Sequence, residues 1–390
     1  MMSTGALVLA MLSLLAWLYL LLGRSGFWRA QPRLDGPPGP TPTAWPAVVA
    51  IIPARNEAES IAAAVTSLLT QDYAGQLTVI VVDDHCEDAT AAIAAGLEVP
   101  RNRSLEVIAA DELQPGWTGK LWAIAEGLRR ADDLVPEAPY VLLTDADIAH
   151  DPHNLALLVA KAVVEERDLV SLMVKLRCQS SWERLLIPPF VFFFQMLYPF
   201  PAVNRPGNRT AAAAGGCMLI RRATLRAAGG IAAIRDRLID DVALAHLIKH
   251  RTGGGEIWLG LTAQTVGLRP YDGLGPLWAM VVRTADTQLS HSLPLLIGTL
   301  LGLMVVYVGP PLCLLAWPLH GDPAVGIMGG CAWLAMGLAF WPTVRLYRLP
   351  WSWSLTLPLA AALYGAMTLD SAIQHRLGRG GVWRGRHFGA

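Results

Sequence analysis

Long runs without charge are the feature that most constrains the fold of this chain. Gly5–Gly23 holds no charged residue, and at about 1.5 Å per helical residue it comes close to crossing the roughly 30 Å of bilayer hydrocarbon. Leu293–Leu319 and Pro323–Val344 are also uncharged. Trp351–Leu369 contains a proline and ends at an aspartate, so it is a weaker candidate. We therefore expect part of the chain to fold within a membrane.

The first apolar run is predicted to be a retained anchor rather than a cleaved signal peptide. A signal peptide carries Lys or Arg before its apolar region, whereas Arg24, Arg29 and Arg33 follow this one. That order places the following segment in the cytoplasm. Three C-terminal spans would then put the basic tail outside, so either the last segment is re-entrant or interfacial, or the positive-inside rule fails here.

The composition argues against several classes of protein. The 31 basic and 31 acidic residues cancel, so no basic field is available for a polyanion and we expect no nucleic-acid partner. Five cysteines, far apart and without a CxxC pair, suit neither a disulfide framework nor a zinc site. Only 16% of the residues are charged, against about 25% in soluble domains, which again favours a membrane protein.

Proline and glycine separate the anchor from the polar middle of the chain. Residues 187–201 within that middle part are rich in aromatic residues and proline and too short to span, so they indicate an interfacial segment, with domain core as the alternative. The predicted organisation is an anchor at 1–30, a linker at 31–46, a domain at 47–290, membrane segments at 291–374 and a basic tail at 375–390.

Short apolar runs alternate with helical patterns in the polar part of the chain, which predicts an α/β fold. The expected strands are Ala47–Ile52, Leu77–Val82, Leu105–Ile108 and Tyr140–Leu143. Buried strands alternating with helices form a mostly parallel sheet covered on both faces. Ligands of such sheets bind beyond the carboxyl ends of the strands, so the residues at those ends are the candidates for function.

Acidic residues follow these strands. Asp83 and Asp84 come after the second strand, and Asp145 and Asp147 after the fourth. Two aspartates around a small residue suit Mg²⁺ or Mn²⁺, although each could instead cap the next helix. No GxGxxG follows the first strand, which argues against a dinucleotide site.

Six motifs occur in order along residues 47–290. They are Pro53-Ala54-Arg55-Asn56-Glu57, Val81-Val82-Asp83-Asp84 with Asp88 and Thr90, Gly119-Lys120, Asp145-Ala146-Asp147, Gly215-Gly216 before Arg221-Arg222, and Asp240-Asp241-Val242-Ala243-Leu244. This series resembles the signature of inverting family 2 glycosyltransferases with the GT-A fold. The resemblance implies a GT-A domain, a nucleotide-diphosphate sugar as donor, with a UDP-hexose expected, and a divalent cation, Mg²⁺ or Mn²⁺.

The resemblance also implies roles for residues. Asp241 would be the general base, with Asp240 beside it, and Asp145 and Asp147 would hold the metal. An acidic first helical turn is the structural alternative for Asp240 and Asp241. The residues implied to bind the donor are Pro53, Arg55, Glu57, Asp83, Asp84, Lys120, Asp145, Gly215, Gly216 and Arg283.

Some of these donor-binding predictions have alternatives, and one rests on an incomplete motif. Lys120 could be a surface lysine, and the glycine pair could serve packing. Related lipid glucosyltransferases carry a motif of Gln or Arg, two residues of any type, and then Arg-Trp, which helps to cover the diphosphate. This chain keeps only the arginine of that Arg-Trp pair, Arg283.

Anchor and C-terminal segments together are similar to bacterial hopene-associated glycosyltransferases and ceramide glucosyltransferase relatives. This implies an integral protein of the bacterial inner membrane, with a cytoplasmic catalytic domain and a membrane lipid, favoured to be a hopanoid, as acceptor. The alternatives are a polysaccharide synthase, a polyprenyl-phosphate glycosyltransferase, or a catalytically silent membrane scaffold.

Overall fold

The computed structural model describes residues 2–36, 39–251, 255–378, 382–383 and 386–387. The chain divides into two units. A sheet unit comprises Pro32–Arg177, Ala202–Pro270 and Arg384–Ala390, and a helical unit comprises Met1–Gln31, Cys178–Pro201 and Tyr271–Trp383. Half of the predicted tail at 375–390 lies outside the described residues, as do Pro37 and Pro38 of the predicted linker.

An eight-stranded sheet organises the sheet unit, in the order β3-β2-β1-β4-β7-β6-β8-β5. The four predicted strands are confirmed, each within three residues of its expected bounds. The strands are β1 Val48–Ala54, β2 Leu77–Asp83, β3 Arg103–Ala109, β4 Tyr140–Thr144, β5 Ile148–Ala149, β6 Leu169–Lys175, β7 Cys217–Arg221 and β8 Ile257–Gly267. Two further short strands near the C terminus are β9 Val382–Trp383 and β10 Arg386–His387.

The sheet is mixed, which corrects the prediction of a mostly parallel one. Strands β1 to β4 pair in parallel, but β7 runs antiparallel to both β4 and β6, and β5 runs antiparallel to β8. The reversal affects the site: because Thr144 pairs with Cys217, the amino end of β7 lies at the same edge as the carboxyl end of β4. The glycines that precede β7 therefore reach the edge where the acidic residues gather.

Helices cover this sheet. All residues of β1 are buried, and helix α4 (Gly119–Leu134) packs closely against this strand. A methyl group on Gly127 of the helix would lie 2.5 Å from a methyl carbon of Ile51 in the strand. The helices of the sheet unit are α2 Ile61–Leu69, α3 Thr90–Ala95, α4 Gly119–Leu134, α5 Asn154–Val164, α8 Arg222–Ala227 and α9 Asp240–Arg251, with a 3₁₀ turn at Ile231–Ile234.

The predicted linker is part of the sheet unit from its second residue. The Leu34 N–H donates to the Leu261 carbonyl at 3.0 Å, and the Leu261 N–H donates to the Pro32 carbonyl at 2.9 Å. Asp35 accepts hydrogen bonds from Thr262 and Ala263 of the same strand. A proline-rich segment can thus continue the hydrogen bonding of a strand where its own carbonyls face that strand.

The helical unit contains the apolar segments. Its helices carry numbers that follow their order in the whole chain. They are α1 Met2–Leu22, α6 Ser181–Leu197, α10 Leu274–Gln288, α11 Leu293–Leu303, α12 Gly309–Leu315, α13 Trp317–His320, α14 Pro323–Leu346 and α15 Leu357–Arg376, with 3₁₀ turns at Phe27–Arg29 and Trp351–Thr356 and a π-helical turn at Met304–Val308. Helix α7, Phe200–Val203, follows α6.

Five helical segments within the described residues are long and apolar enough to cross a membrane by length and composition. They are Thr4–Leu22, Ser181–Val203, Leu293–Leu315, Pro323–Leu346 and Trp351–Arg376. The second contains the predicted interfacial segment 187–201 but begins earlier, because Ser180 and Glu183 form a capping box that starts α6. The segment is therefore longer than the predicted range of 187–201, which was too short to span a membrane.

Side chains of α1 complete the hydrogen bonding around the π-helical turn. Ser13 Oγ donates to the Val305 carbonyl at 2.6 Å, and the Trp17 indole donates to the Val306 carbonyl at 2.7 Å. Irregular helical backbone in an apolar surrounding needs such partners. This pairing explains why polar groups lie on an otherwise apolar helix.

Candidate active site

Charged side chains meet where the strands of the sheet unit end. Asp145 and Asp147 follow β4, Lys120 lies in the first turn of α4, and Asp240 and Asp241 begin α9. An acidic first turn is favoured by the positive end of the helix dipole. The sheet topology brings these residues together from segments that are far apart in sequence.

Lys120 joins two of the acidic motifs. Its Nζ lies 2.9 Å from Asp145 Oδ1 and 3.2 Å from Asp240 Oδ2. Burial opposes the charge of the ammonium group, but the carboxylates of Asp145 and Asp240 outweigh burial and raise the pKa of Lys120. Lys120 is therefore a charged member of the site, contrary to the alternative of a surface lysine.

Asp241 has the properties of a proton acceptor at neutral pH. Its Oδ2 accepts a hydrogen bond from the Gly215 N–H at 2.9 Å, and Oδ1 accepts one from the Val242 N–H at 2.8 Å. Burial, followed by the charge of Asp240, raises the pKa of Asp241 to about 7, although Lys120 and the two N–H groups act in the opposite direction. A general base works best when its pKa lies near the working pH.

Arg269 forms the other half of the charge cluster, and sequence reasoning missed it. Its Nε lies 2.7 Å from Asp147 Oδ2, and its Nη2 lies 2.5 Å from Glu57 Oε1. Burial works against the charge of Arg269, but the two carboxylates raise its pKa. Burial and the neighbouring Asp145 raise the pKa of Asp147, while Arg269 lowers it.

The signal for Arg269 was its position. It follows the apolar strand β8, at the same edge as the predicted acidic motifs, and the Leu268 N–H beside it donates to the Asp147 carbonyl at 2.7 Å. The sequence patterns predicted no strand at Ile257–Gly267, so Arg269 was not recognised as a residue at a strand end.

The residues of this cluster fit a divalent cation. Five carboxylates, those of Glu57, Asp145, Asp147, Asp240 and Asp241, share two cations, Lys120 and Arg269, which leaves a formal charge of about −3 when all are ionised. Asp240 Oδ2 is buried, and its ion pair with Lys120 does not have the geometry of a hydrogen bond. Oxygen ligands with excess negative charge are what Mg²⁺ and Mn²⁺ prefer.

The two predicted glycines differ in their surroundings. A methyl group on Gly215 would lie 3.4 Å from Lys120 Nζ and 3.5 Å from an Asp241 oxygen, so Gly215 borders the charge cluster. The same group on Gly216 would lie 3.2 Å from a Val174 methyl carbon in the core. Gly216 therefore fits the packing alternative.

The first two motifs build a loop beside the cluster. Arg55 Nη1 donates to the Asp84 carbonyl at 2.6 Å and to the His85 carbonyl at 3.2 Å, and Asp83 Oδ1 accepts from the Cys86 N–H at 2.8 Å. Pro53 pairs with Val82 at the strand ends. Apart from Glu57, these predicted donor-binding residues shape the loop through contacts within the protein.

Arg283 lies on α10 in the helical unit, whereas the other predicted site residues lie in the sheet unit. The part of the helical unit that carries Arg283 begins at Tyr271, within the range of 47–290 predicted for the domain.

Comparisons with known proteins address the family and the fold. Residues 49–229 match the family model described as glycosyl transferase family 2. A search of the curated proteins found no match.

Two examples represent the solved structures that are similar to the chain. A mannosyltransferase from Pyrobaculum calidifontis, in complex with GDP-Man and Mn²⁺, is 20% identical, with a TM-score of 0.58 over 95% of this chain and 99% of its own. Glucosyl-3-phosphoglycerate synthase from Mycobacterium tuberculosis, in complex with Mn²⁺ and UDP-glucose, is 19% identical, with a TM-score of 0.41 over 63% of this chain and 78% of its own. The first similarity identifies the fold as GT-A.

Proposed function

We propose that this chain is a glycosyltransferase that transfers a hexose from a nucleoside diphosphate to a hydroxyl of a membrane lipid. The match of residues 49–229 to the family model described as glycosyl transferase family 2, together with the GT-A fold, supports this proposal. The expected donor is a UDP-hexose, and the favoured acceptor is a hopanoid. Transfer inverts the anomeric configuration, since one base activates the hydroxyl for attack on the face opposite the leaving diphosphate.

The observation that supports this proposal most strongly is the state of Asp241. A carboxylate with a pKa of about 7 keeps enough basicity to accept the proton of an attacking hydroxyl. The Gly215 N–H fixes one of its oxygens, so the side chain is oriented before substrate arrives. Asp240 contributes by raising the pKa of its neighbour and by holding Lys120.

The remaining charged residues would manage the negative charge of the donor. A divalent cation, Mg²⁺ or Mn²⁺, would be held by Asp145 and Asp147 and would neutralise the charge that builds on the diphosphate as it leaves. Lys120 and Arg269 partly neutralise these two carboxylates. Lys120 pairs with one oxygen of Asp145, and Arg269 pairs with one oxygen of Asp147. The mannosyltransferase with the same fold was solved with GDP-Man and Mn²⁺, which supports a divalent cation and a nucleotide-sugar donor in general.

The apolar helices support a membrane acceptor. Five segments have the length and composition of membrane spans, which supports an acceptor that is itself part of the membrane. We propose that the protein is an integral membrane protein of the bacterial inner membrane and that its sheet unit faces the cytoplasm, where nucleotide sugars are available.

The proposal is tested by the lipids that the enzyme makes. The full chain in detergent, incubated with membrane lipid extract, Mn²⁺ and either UDP-hexoses or GDP-Man, should yield a lipid heavier by one hexose with a UDP-hexose, detected by mass spectrometry. Chelation by EDTA should stop the reaction. A polymeric product, a glycosylated polyprenyl phosphate, or turnover unchanged by EDTA would contradict this assignment.

A further inference from the structure

Two imidazoles and a carboxylate meet in the helical unit. Asp286 lies near the end of α10, His291 precedes α11, and His375 lies in the last turn of α15. One ligand atom from each lies within 4.8 Å of the others. His291 Nδ1 is 2.7 Å from Asp286 Oδ2, and the rings of His291 and His375 are 3.9 Å apart and nearly parallel.

Contacts between α10 and α15 fix two of these residues. The Asp286 N–H donates to Ser371 Oγ at 3.0 Å, and this hydroxyl donates to the Val282 carbonyl at 2.5 Å. His375 lies four residues after Ser371, so it projects from the same face of α15 one turn later. The buried carboxylate of Asp286 and the imidazole of His375 are thus brought together by the packing of two helices.

The backbone before α11 turns His291 back toward Asp286. Ser290 has φ of 51° and His291 has φ of 56°, two consecutive non-glycine residues in the left-handed region. The His291 N–H donates to the Asp286 carbonyl at 3.0 Å, which closes the turn. Such residues cost about 1–3 kcal/mol each, so a turn of this kind persists only where its surroundings compensate for the strain.

We infer that Asp286, His291 and His375 bind a divalent transition-metal ion, of which Zn²⁺ is the best match, once one of the two exposed imidazoles turns out of the stack so that the ion lies in the plane of both rings. Two imidazole nitrogens and one carboxylate oxygen are a common ligand set for Zn²⁺. Both histidines are exposed, so a water molecule can complete the coordination. None of the three belongs to the oxygen-rich cluster assigned to sugar transfer, and imidazole selects a different class of metal from carboxylate alone.

The bound ion would connect the start of the apolar segment Leu293–Leu315 to the end of the apolar segment Trp351–Arg376. His291 immediately precedes Leu293–Leu315, and His375 ends Trp351–Arg376. Trp278 and Asp370, 2.7 Å apart, already join α10 and α15 on one side of this position. The metal would strengthen the existing contacts of His291 with Asp286 and His375, so it should stabilise the helical unit.

The test is a titration of the full chain in detergent with Co²⁺, followed by visible absorption and by competition with Zn²⁺. Excess Mg²⁺ is present because it occupies oxygen sites and competes poorly for imidazole. One equivalent should bind to the native chain. His375→Ala should weaken binding at least about 10-fold, since even the loss of a group that only orients a ligand costs about 10–100-fold.

The matched control is His153→Ala. His153 is an exposed histidine 3.3 Å from Asp72 in the sheet unit, a pair outside the proposed ligand set, and its replacement should leave binding unchanged. Equal binding by His375→Ala and the native chain would overturn the inference, as would equal losses in His375→Ala and His153→Ala.

A second measurement is independent of whether variants fold. Zn²⁺ should protect His291 and His375 of the native chain from acylation by diethyl pyrocarbonate, mapped by mass spectrometry, while His153 stays reactive. Modification of His291 and His375 at the same rate with and without Zn²⁺ would show that the ion does not bind there.

Discussion

Replacing Lys120 by methionine should move the pH dependence of transfer to higher pH. Methionine keeps much of the length of the side chain and removes its charge, which at present lowers the pKa of Asp241. Asp241 must lose its proton to act as the base. Removing the cation stabilises the protonated carboxyl, so a higher pH is needed for activity.

The structure sets the size of this shift. A methyl group on Gly215 would lie 3.4 Å from Lys120 Nζ and 3.5 Å from Asp241 Oδ2, so these two charged atoms are at most 6.9 Å apart. At an effective dielectric constant of about 20, unit charges about 7 Å apart interact by about 2 kcal/mol, or about 1.5 pKa units. Solvent and the bound cation would reduce the shift, so we expect about one unit.

The assay is kcat/KM measured from about pH 5 to 9, which reports the ionisation of the free enzyme. Lys120→Arg is the control because it keeps the positive charge and should keep the native midpoint. The midpoint itself is the readout, since both variants could also lower the maximal rate by disturbing Asp145. A Lys120→Met midpoint equal to that of Lys120→Arg, or below it, would refute the electrostatic reasoning.

Two further predictions separate stability from activity. Arg269→Ala should lower the free energy of unfolding by about 1–3 kcal/mol, because Glu57 and Asp147 lose a shared partner, and Arg269→Lys should recover part of it; an unchanged denaturation midpoint would contradict this. Gly215→Ala should reduce transfer with little change in the unfolding temperature, whereas Gly216→Ala should lower that temperature because of its core contact; equal effects of both on stability would show that the assignment is wrong.

The part of the fold that follows from local patterning could be predicted from the sequence. Strands β1 to β4 are apolar runs between helical patterns, and the acidic residues after β2 and β4 lie at one edge because those strands are parallel. The reversal of β7 could not be seen, since the direction of a strand depends on its pairing and not on its own residues. The mixed sheet was missed for this reason.

The bounds of the helical unit depend on tertiary contacts. The predicted domain extended to residue 290 because the family resemblance reached about that far, yet the Trp278 indole of helix α10 binds Asp370 on α15, and the helical unit begins again at Tyr271. The start of α6 was readable, because Ser180 and Glu183 have the spacing of a capping box. This capping box indicates that the helix starts at residue 181, before the predicted start of the apolar segment at 187.

Among the candidate site residues, sequence reasoning named the carboxylates, Lys120 and Gly215 but not Arg269. Arg269 pairs with Glu57 and Asp147 only because β8 ends beside β5. The position of Arg269 therefore depends on the antiparallel pairing of β8 with β5, which is more than 100 residues earlier in the chain. The distinction between Gly215 and Gly216 likewise requires the positions of neighbouring side chains.

Asp241→Asn tests the central claim most directly. Asparagine keeps the shape and can still accept the Gly215 N–H, but it cannot take a proton at neutral pH. Transfer should fall by about 10²–10⁴-fold, the usual contribution of a general base, while UDP binding measured by calorimetry in the presence of Mn²⁺ stays close to native. Asp236→Asn, at an exposed position before α9, should match the native protein in both measurements. Transfer by Asp241→Asn at the rate of Asp236→Asn would contradict the assignment of Asp241 as the base.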